Sequence, residues 1–329
     1  MKPVRGAGLL VLLLAAGGGY GIWRAESPYQ GFSGEAFVEF AHGTGSGAIA
    51  DMLADAGVVR SRWDFLLARM LHRGRLLQAG EYRFQHAASA YEVLDRIARG
   101  DVFYYELVVP EGWNMFDIGT AVEGLGLFNA ADFVAAAKNP ALIRDLDPRA
   151  PSLEGYLFPN TYRLSRHTTP EKLCRMMTAR FRDAWKGLRT DACVHDTVTL
   201  ASLVEKEGKL AAERPLIAGV FTNRLKLGMK LDCDPTTIYA AILEDSYTGV
   251  IHRSDLDRDH AYNTYRRAGL PPGPIANPGL ESLRAALHPA NIDSLYFVAR
   301  ADGSGGHEFS STIAAHRSAV NRYHRALRK

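Results

Sequence analysis

Two acidic residues, Glu205 and Glu207, stand where the sequence predicts the end of a helix. Residues 198–207 place apolar side chains on one face of that helix, and Gly208 is a typical stop. Glu207 would share its face with Leu203, whereas Glu205 would point elsewhere. Apolar neighbours and the negative end of the helix dipole both raise the pKa of a carboxyl group. Glu207 could therefore stay protonated near neutral pH and donate a proton to a leaving oxygen, as an acid does in glycosidic bond cleavage.

The same spacing also has a simpler interpretation. Glu207 stands close to Lys206 and Lys209 and could be an ordinary solvated residue at a helix end, and the spacing alone favours this. A second helix is predicted after it, with Pro215 in its first turn and Gly228 at its end. The spacing therefore supports the two predicted helices more strongly than it supports an acid role for Glu207.

Length and composition are those of a globular protein. The chain has 329 residues, of which 47% are hydrophobic and 23% charged, enough for about two domains with sizeable cores. The net charge is only +3 and no run of basic residues occurs, so the composition does not indicate a nucleic-acid-binding protein. Cys174, Cys193 and Cys233 fit neither a disulfide framework nor a metal motif, so we expect ordinary thiols, with one bridged pair as the alternative. We expect no metal or organic cofactor.

The N-terminus predicts a membrane anchor. Residues 7–23 carry no charge, follow Lys2 and Arg5, and end with Tyr20 and Trp23. This pattern is typical of one short membrane span with its positive end inside and its aromatic end outside. We expect an uncleaved single-pass anchor in the inner (cytoplasmic) membrane, with the rest of the chain exported. A cleaved signal peptide is the alternative, although the glycine-rich stretch lacks a convincing cleavage site.

The following segment, residues 26–105, predicts a small α+β module. Its expected strands are residues 35–40, 80–84 and, at its end, 103–110; its expected helices are residues 49–56, 62–71 and 91–99. Residues 49–57 and 118–126 share their apolar spacing and form a weak internal repeat. A polysaccharide-binding module and two packing units without a ligand explain this repeat about equally well.

Polar and aromatic candidates follow in the second half of the chain. Residues 151–163 predict a loop-and-turn stretch in which Glu154 stands among Tyr156, Phe158 and Tyr162, rings that could line a sugar groove or belong to the core. Residues 169–185 predict an amphipathic helix that packs on the core.

The region after the helix pair contains a cap signal and a stiff loop. Asp234 before Pro235 is expected to be a helix N-cap rather than a catalytic base. The proline- and glycine-rich residues 269–279 could form the wall of a binding cleft. His307 could be a ligand or proton carrier, although a lone histidine beside glycines is more often structural. Further elements are expected at residues 281–287 (helix), 294–300 (strand), 307–309 (extended) and 313–326 (helix).

Taken together, the motifs of the chain resemble the MltG (YceG-like) family of membrane-anchored endolytic murein transglycosylases. The resemblance covers nearly the whole length and is specific because many motifs occur in order. They are Glu111-Gly112, residues 154–162, residues 201–207, residues 221–225, residues 234–239, residues 262–265, residues 269–279 and Gly305-Gly306-His307.

The resemblance implies an α+β fold with four parts. They are a cytoplasmic N-terminus (residues 1–6), a transmembrane helix (7–23), a small LysM-like peptidoglycan-binding subdomain (26–105) and a larger YceG-like catalytic domain (106–329) in the periplasm. It implies cleavage of the MurNAc–GlcNAc bond within peptidoglycan strands, which leaves 1,6-anhydro-MurNAc ends and limits strand length. Peptidoglycan synthases (penicillin-binding proteins) would be its partners.

The resemblance also assigns roles to residues. The family's catalytic glutamate corresponds to Glu207, which would protonate the glycosidic oxygen and then accept a proton from the 6-hydroxyl of the same MurNAc. That hydroxyl attacks C1, so no water and no second carboxylate are needed, unlike in most glycosidases. Gly208 differs from the Thr or Ala expected in many relatives. Residues expected to position the sugars or Glu207 are Glu154, Tyr156, Asn160, Glu205, Asn223, Asp234, Asn263 and Thr264.

Two other functions are compatible with the sequence. A peptidoglycan hydrolase (muramidase) would use a second carboxylate, Glu154 or Asp234, to activate water, and its products would have reducing ends. A non-enzymatic, membrane-tethered wall-binding scaffold would not depend on Glu207, so Glu207→Gln would leave the cellular phenotype intact.

Overall fold

The computed structural model describes residues 4–72 and 74–327, with the backbone alone for residues 4–11 and 14. The structure is a mixture of helices and short two-stranded sheets, as the predicted α+β class requires. The chain divides into two units, one ending at Tyr105 and one beginning at Glu106. The LysM-like and catalytic assignments of these two parts stay predictions at this point.

The first unit packs helices around one antiparallel strand pair. Its elements are α1 (Val4–Glu26), β1 (Ala36–Phe40), α2 (Ser46–Asp55), α3 (Arg62–Leu71), β2 (Gly80–Phe84) and α4 (Ala90–Arg99). Ala36 of β1 faces Phe84 of β2, and Phe40 faces Gly80. Alternate residues of β1 point into a core that also contains Phe65 and Leu94. The bounds of α3 and β2 are those predicted.

The N-terminal helix α1 contains the segment predicted to cross a membrane. Residues 7–23 are helical, as expected. Among the described residues, however, no helix is both long and apolar enough to span a bilayer. The transmembrane part of the prediction is therefore not supported by the structure.

The second unit is mainly helical, with two separate strand pairs. Its elements are β3 (Tyr105–Val109), α5 (Met115–Gly124), α6 (Ala130–Ala137), β4 (Asn160–Leu164), α7 (Pro170–Leu188), α8 (Val194–Glu207), α9 (Arg214–Lys226), α10 (Asp234–Leu243), α11 (Arg253–Asp257), α12 (Leu280–Leu287), β5 (Tyr296–Ala299), β6 (His307–Ser310) and α13 (Ile313–Leu327), with 3-10 turns at Pro140–Leu142 and Ala211–Glu213. β3 pairs with β4, and β5 pairs antiparallel with β6. The strand β4 begins inside residues 151–163, where loops and turns alone were expected, and ends one residue beyond them, so that prediction was incomplete.

Helix α8 forms the centre of this unit. Every residue from Thr197 to Val204 is buried, because α9 and α12 pack against the helix. A helix that is covered on all sides is positioned by its neighbours rather than by its own amphipathic pattern. Its last turn, which ends at Glu207 as predicted, therefore has a fixed position beside the residues that follow α9.

A glycine in the loop before β4 permits close packing against α8. Gly155 has φ of +87°, and a Cβ there would lie 2.4 Å from Cγ of Pro274 and 2.9 Å from Cγ1 of Val198. We expect Gly155→Ala to lower the free energy of unfolding by about 3 kcal/mol, because it adds both backbone strain and overpacking.

Urea unfolding followed by circular dichroism measures this change. Gly187→Ala is the matched control, since Gly187 is exposed in α7 with no atom within 4 Å of the added methyl group. This control should be neutral or slightly stabilising. Equal losses in the two variants would contradict the packing described for Gly155.

Candidate active site

A cavity of about 730 Å³ opens at the C-terminal end of α8, where Glu207 forms part of its wall. Glu207 and Asp234 are the two predicted site residues among those that line it. The other lining residues come from α9, the segment before α10, the loop after α11, the strands β5 and β6, and α13. They include Arg224, Leu231, Asp232, Tyr265, Tyr296, His307 and His316. A cavity of about 790 Å³ beside α6 and α7 contains none of the predicted site residues. The candidate active site is therefore the cavity of about 730 Å³ beside Glu207.

The carboxyl group of Glu207 is largely withdrawn from solvent. One turn earlier on α8, Leu203 and Val204 are fully buried. Desolvation by burial raises the pKa of Glu207, and the negative charge of Asp234 raises it further. Cys233 and His307 act in the opposite direction but do not outweigh burial. The predicted raised pKa thus has the predicted main cause, which is the loss of water around the carboxyl group.

The backbone after Glu207 turns too tightly for a side chain at the next position. Gly208 ends α8 through a hydrogen bond from its N–H to the carbonyl oxygen of Val204 at 2.7 Å. A Cβ on Gly208 would lie 2.9 Å from that oxygen and 3.0 Å from Cγ of Arg214. The Thr or Ala expected in relatives would need a slightly different local backbone.

The thiol of Cys233 is the hydrogen-bond partner of Glu207. Its Sγ donates to Oε1 of Glu207 at 3.3 Å. The backbone N–H of Cys233 donates to Oγ1 of Thr264 at 3.0 Å, and Thr236 Oγ1 donates to the carbonyl oxygen of Cys233 at 2.6 Å. Thr264 is 1% exposed. It contacts Cys233, the hydrogen-bond partner of Glu207, and does not line the cavity, so its orienting role stays a prediction.

Asp234 does not have the predicted capping role. The N-cap of α10 is Cys233, which has extended φ and ψ, and Asp234 is already the first helical residue. An N-cap side chain needs the extended conformation, so the cap prediction is wrong by one position. The exposed carboxylate of Asp234 instead accepts a hydrogen bond from the hydroxyl of Tyr265 at 2.6 Å. It lies on the wall of the same cavity as Glu207 and is a candidate second carboxylate.

Glu205 serves to fix the end of α8. Its carboxylate accepts from the guanidinium of Arg214 and from the N–H of Gly279, each at 2.9 Å. Arg214 also pairs with Glu111 at 3.3 Å. A Cβ on Gly279 would lie 1.8 Å from Oε1 of Glu111, so a side chain there would displace the carboxylate of Glu111. These contacts join the loop of residues 269–279 to α8 and place Glu205 outside the cavity, on a different side from Glu207, as predicted.

Glu154 and Tyr156 belong to the interior of the unit. Glu154 is 1% exposed and accepts hydrogen bonds from Met115 N (3.0 Å), Tyr239 Oη (3.0 Å) and Asn277 Nδ2 (2.8 Å). Burial raises its pKa to about 7, against the opposing effect of these donors. Tyr156 is fully buried and donates to Asp147. A direct contact of either side chain with a sugar is therefore not supported.

The three predicted asparagines are also engaged within the protein. Asn223 donates to the carbonyl oxygens of Ile292 and Ser294 at 2.7 and 3.2 Å. Asn263 is fully buried and donates to backbone carbonyl groups in and after α11. Asn160 is exposed at the start of β4, where it accepts from Thr161 N at 2.8 Å. They shape the unit around the cavity without lining it.

Sequence reasoning missed several residues of the cavity wall. Cys233 was treated as an ordinary thiol, and Tyr265, Tyr296 and the residues of α13 were not singled out. These residues come from segments that are far apart in sequence, so the spacing of residues along the chain could not show that they lie close to Glu207. Among the described residues, no group of three or more His, Cys, Asp or Glu side chains could hold a metal ion.

Comparisons with known proteins place this architecture in a family. The YceG-like family model matches residues 38–322. A Bacillus subtilis (strain 168) protein named endolytic murein transglycosylase is 31% identical over 307 residues, which cover 87% of this chain and 84% of the relative. A Streptococcus pneumoniae serotype 2 protein of the same name is 30% identical, over 76% of this chain and 52% of the relative.

A solved structure agrees with this assignment. The crystal structure of a YceG-like protein from Listeria monocytogenes has a TM-score of 0.55 and 29% identity, and the match covers 87% of this chain and 99% of that one. The chain belongs to the YceG-like family. The resemblance inferred from the ordered motifs is therefore confirmed.

The contact between Cys233 and Glu207 predicts opposite effects of two substitutions. An S–H donor favours the ionised carboxylate, so Cys233→Ala should raise the pKa of Glu207 further. Cys233→Ser introduces a stronger hydroxyl donor and should lower that pKa.

Titration of glutamate side-chain carbons by NMR measures both effects, with the Glu207 signal assigned by its loss in Glu207→Gln. Cys174→Ala is the control, because Cys174 is a buried cysteine of α7 beside the other cavity. One pKa shared by wild type and all three cysteine variants would show that the thiol does not act on Glu207.

Proposed function

We propose that this protein is an endolytic murein transglycosylase, which cleaves the MurNAc–GlcNAc bond inside peptidoglycan strands. The observation that carries the proposal is Glu207, a carboxyl group of raised pKa in the wall of a large cavity. Its relatives in Bacillus subtilis and Streptococcus pneumoniae bear this name, which agrees with the reaction expected from the motifs. The substrate is accordingly peptidoglycan.

The chemistry follows from the protonation of Glu207. The carboxyl group gives its proton to the oxygen between MurNAc C1 and GlcNAc, and the C1–O bond breaks. The carboxylate left behind faces an oxocarbenium-like sugar, which its negative charge stabilises. The 6-hydroxyl of the same MurNAc forms the new bond to C1 and gives its proton to the Glu207 carboxylate, which yields a 1,6-anhydro end and restores the acid. Because the acid form starts the reaction, the rate falls as the pH rises through the pKa of Glu207.

A peptidoglycan hydrolase is the second candidate, and one observation favours it. The carboxylate of Asp234 is exposed on the wall of the cavity that holds Glu207. Two carboxylates in one site are the usual arrangement for activation of water. Glu154, the other second carboxylate considered, is enclosed and cannot serve this purpose.

Mass spectrometry of the products distinguishes these reactions. Purified glycan strands treated with the wild type should give internal fragments with anhydro-MurNAc ends. Glu207→Gln keeps the shape of the side chain but removes the acid, so we expect a loss of about 10³-fold in rate. Glu281→Gln, an exposed glutamate on α12, is the matched control and should be as active as wild type.

Other products would lead to other functions. Reducing ends that require Asp234 would establish the hydrolase. Strands bound but left uncut by the wild type would support the wall-binding scaffold and overturn the enzymatic proposal.

The first unit is proposed to bind the glycan. The support is the LysM-like resemblance of residues 26–105, together with Trp63 on α3, whose side chain is 70% exposed. A flat exposed ring suits the apolar face of a sugar. The predicted association with peptidoglycan synthases (penicillin-binding proteins) and the limiting of strand length stay predictions from the family resemblance.

We also propose that the protein is held at the inner membrane, with its catalytic unit in the periplasm. The support is the uncharged segment of residues 7–23, the basic Lys2 and Arg5 before it, and the exposed rings of Tyr20 and Trp23. Alkaline phosphatase fused after Lys329 should be active and should sediment with membranes. Removal of residues 2–25 should abolish both properties, and an inactive fusion in the soluble fraction would contradict the proposal.

A further inference from the structure

Glu213 and His307 form a carboxylate–imidazole pair beside Glu207. Oε2 of Glu213 lies 2.8 Å from Nδ1 of His307. Both carboxylate oxygens of Glu213 also accept from the backbone N–H of His307, each at 3.0 Å. The two side chains are 12% and 11% exposed, respectively. His307 lines the same cavity as Glu207 and is close enough for its charge to act on the carboxyl group of Glu207.

The fold holds this pair in one arrangement. Glu213 ends the 3-10 turn between α8 and α9, and His307 begins β6. A Cβ on Gly306 would lie 2.9 Å from Oε1 of Glu213, so a side chain there would displace the carboxylate. The ring of Phe297 meets the imidazole edge-on, with centroids 5.3 Å apart. The imidazole is thus fixed by a carboxylate on one side and an aromatic ring on another.

The partner of Nδ1 decides what the other ring nitrogen can do. A carboxylate has no proton to donate, so Nδ1 carries the hydrogen of this contact. In a neutral imidazole, Nε2 then has a free lone pair and accepts protons. The cavity wall around His307 also carries the charged groups Glu207, Arg224, Asp232 and Asp234. Arg300 donates to the carbonyl oxygen of His307 at 3.1 Å, and Lys209 lies beside Gly305.

We propose that His307 is the base that removes the proton from the MurNAc 6-hydroxyl, with Glu213 as its positioning residue. The proposal rests on the transglycosylase function and changes its second half. Glu207 protonates the leaving oxygen and the C1–O bond breaks. The 6-oxygen bonds to C1 while its proton passes to Nε2 of His307. That proton then returns to the carboxylate of Glu207 directly or through solvent, so the cycle consumes no water.

The two groups then have separate tasks. Burial raises the pKa of Glu207, which favours the protonated form that an acid needs. Glu213 fixes the hydrogen of its contact on Nδ1 of His307, so Nε2 is the nitrogen that can accept the proton of the sugar hydroxyl.

A substrate that needs no acid separates the two roles. In the dinitrophenyl β-glycoside of GlcNAc–MurNAc the leaving group departs without protonation, whereas the 6-hydroxyl must still lose its proton. On glycan strands we expect Glu207→Gln and His307→Ala each to lose about 10²-fold or more in kcat. On the dinitrophenyl substrate Glu207→Gln should recover most of its rate, and His307→Ala should not.

Further variants guard against a trivial loss of structure. Added imidazole should restore part of the rate of His307→Ala, which a purely structural role would not allow. Glu213→Gln should lower kcat with little change in KM. His288→Ala, at the end of α12, is the control for loss of a histidine outside the cavity and should behave as wild type. Melting temperatures close to wild type would show that the variants fold.

The results that overturn the inference are specific. A His307→Ala variant that is as active as wild type on both substrates, or that recovers on the dinitrophenyl substrate as Glu207→Gln does, would exclude the base assignment while leaving the transglycosylase function in place. Reducing ends from the wild type would instead overturn the transglycosylase itself, and the assigned proton transfer with it.

Discussion

Burial of the carboxyl group of Glu207 at the end of α8 is the constraint on which the site depends. The helix is buried from Thr197 to Val204, where α9 and α12 pack against it, so its last turn extends from a packed segment. Glu207 consequently meets a weak thiol donor where an ordinary surface glutamate would meet water. The pKa of Glu207 rises, and a residue type that is normally ionised acquires a proton to give. The surrounding segments matter mainly because they maintain that environment.

Glu154 is fully buried and Glu207 only partly buried, and both have raised pKa values. Glu154 receives three hydrogen bonds from protein groups and has no access to the cavity. Its partner Asn277 also accepts from Gly155 N and Leu157 N, so Glu154 helps to join the loop of residues 269–279 to the interior. Glu207 has fewer donors and lines open space. A raised pKa marks a functional group only when the group can also reach a substrate.

The sequence was a good guide to local structure and a partial guide to the site. The apolar spacing around Leu203 and the stop at Gly208 predicted the helix end that carries Glu207, because both signals act within a few residues. The cap assignment of Asp234 failed because Cys233 takes the extended conformation that precedes α10. The strand β4 was missed because it is short and pairs with the distant β3.

Contacts between distant segments could not be predicted at all. Cys233 approaches Glu207 only after α9 and α10 have packed, and Glu213 meets His307 across 94 residues of sequence. The family motifs did point to Glu207 and to Gly305-Gly306-His307, yet they did not show that both lie on one cavity. Burial likewise separated Glu154, Tyr156 and Thr264 from the residues that line the cavity, because a motif records which residues occur and not which of them face solvent.

The protonation state of Glu207 in the free protein tests this account most directly. Infrared difference spectra between wild type and Glu207→Gln, recorded as the pH is raised from about 4 to 8, isolate this one carboxyl group and show where it ionises relative to an unperturbed glutamate. The burial of Glu207 predicts that its protonated-carboxyl band persists to higher pH than that of an exposed glutamate. Loss of the band at the pH of an unperturbed glutamate would show that burial does not hold a proton on Glu207, and would contradict its role as the acid.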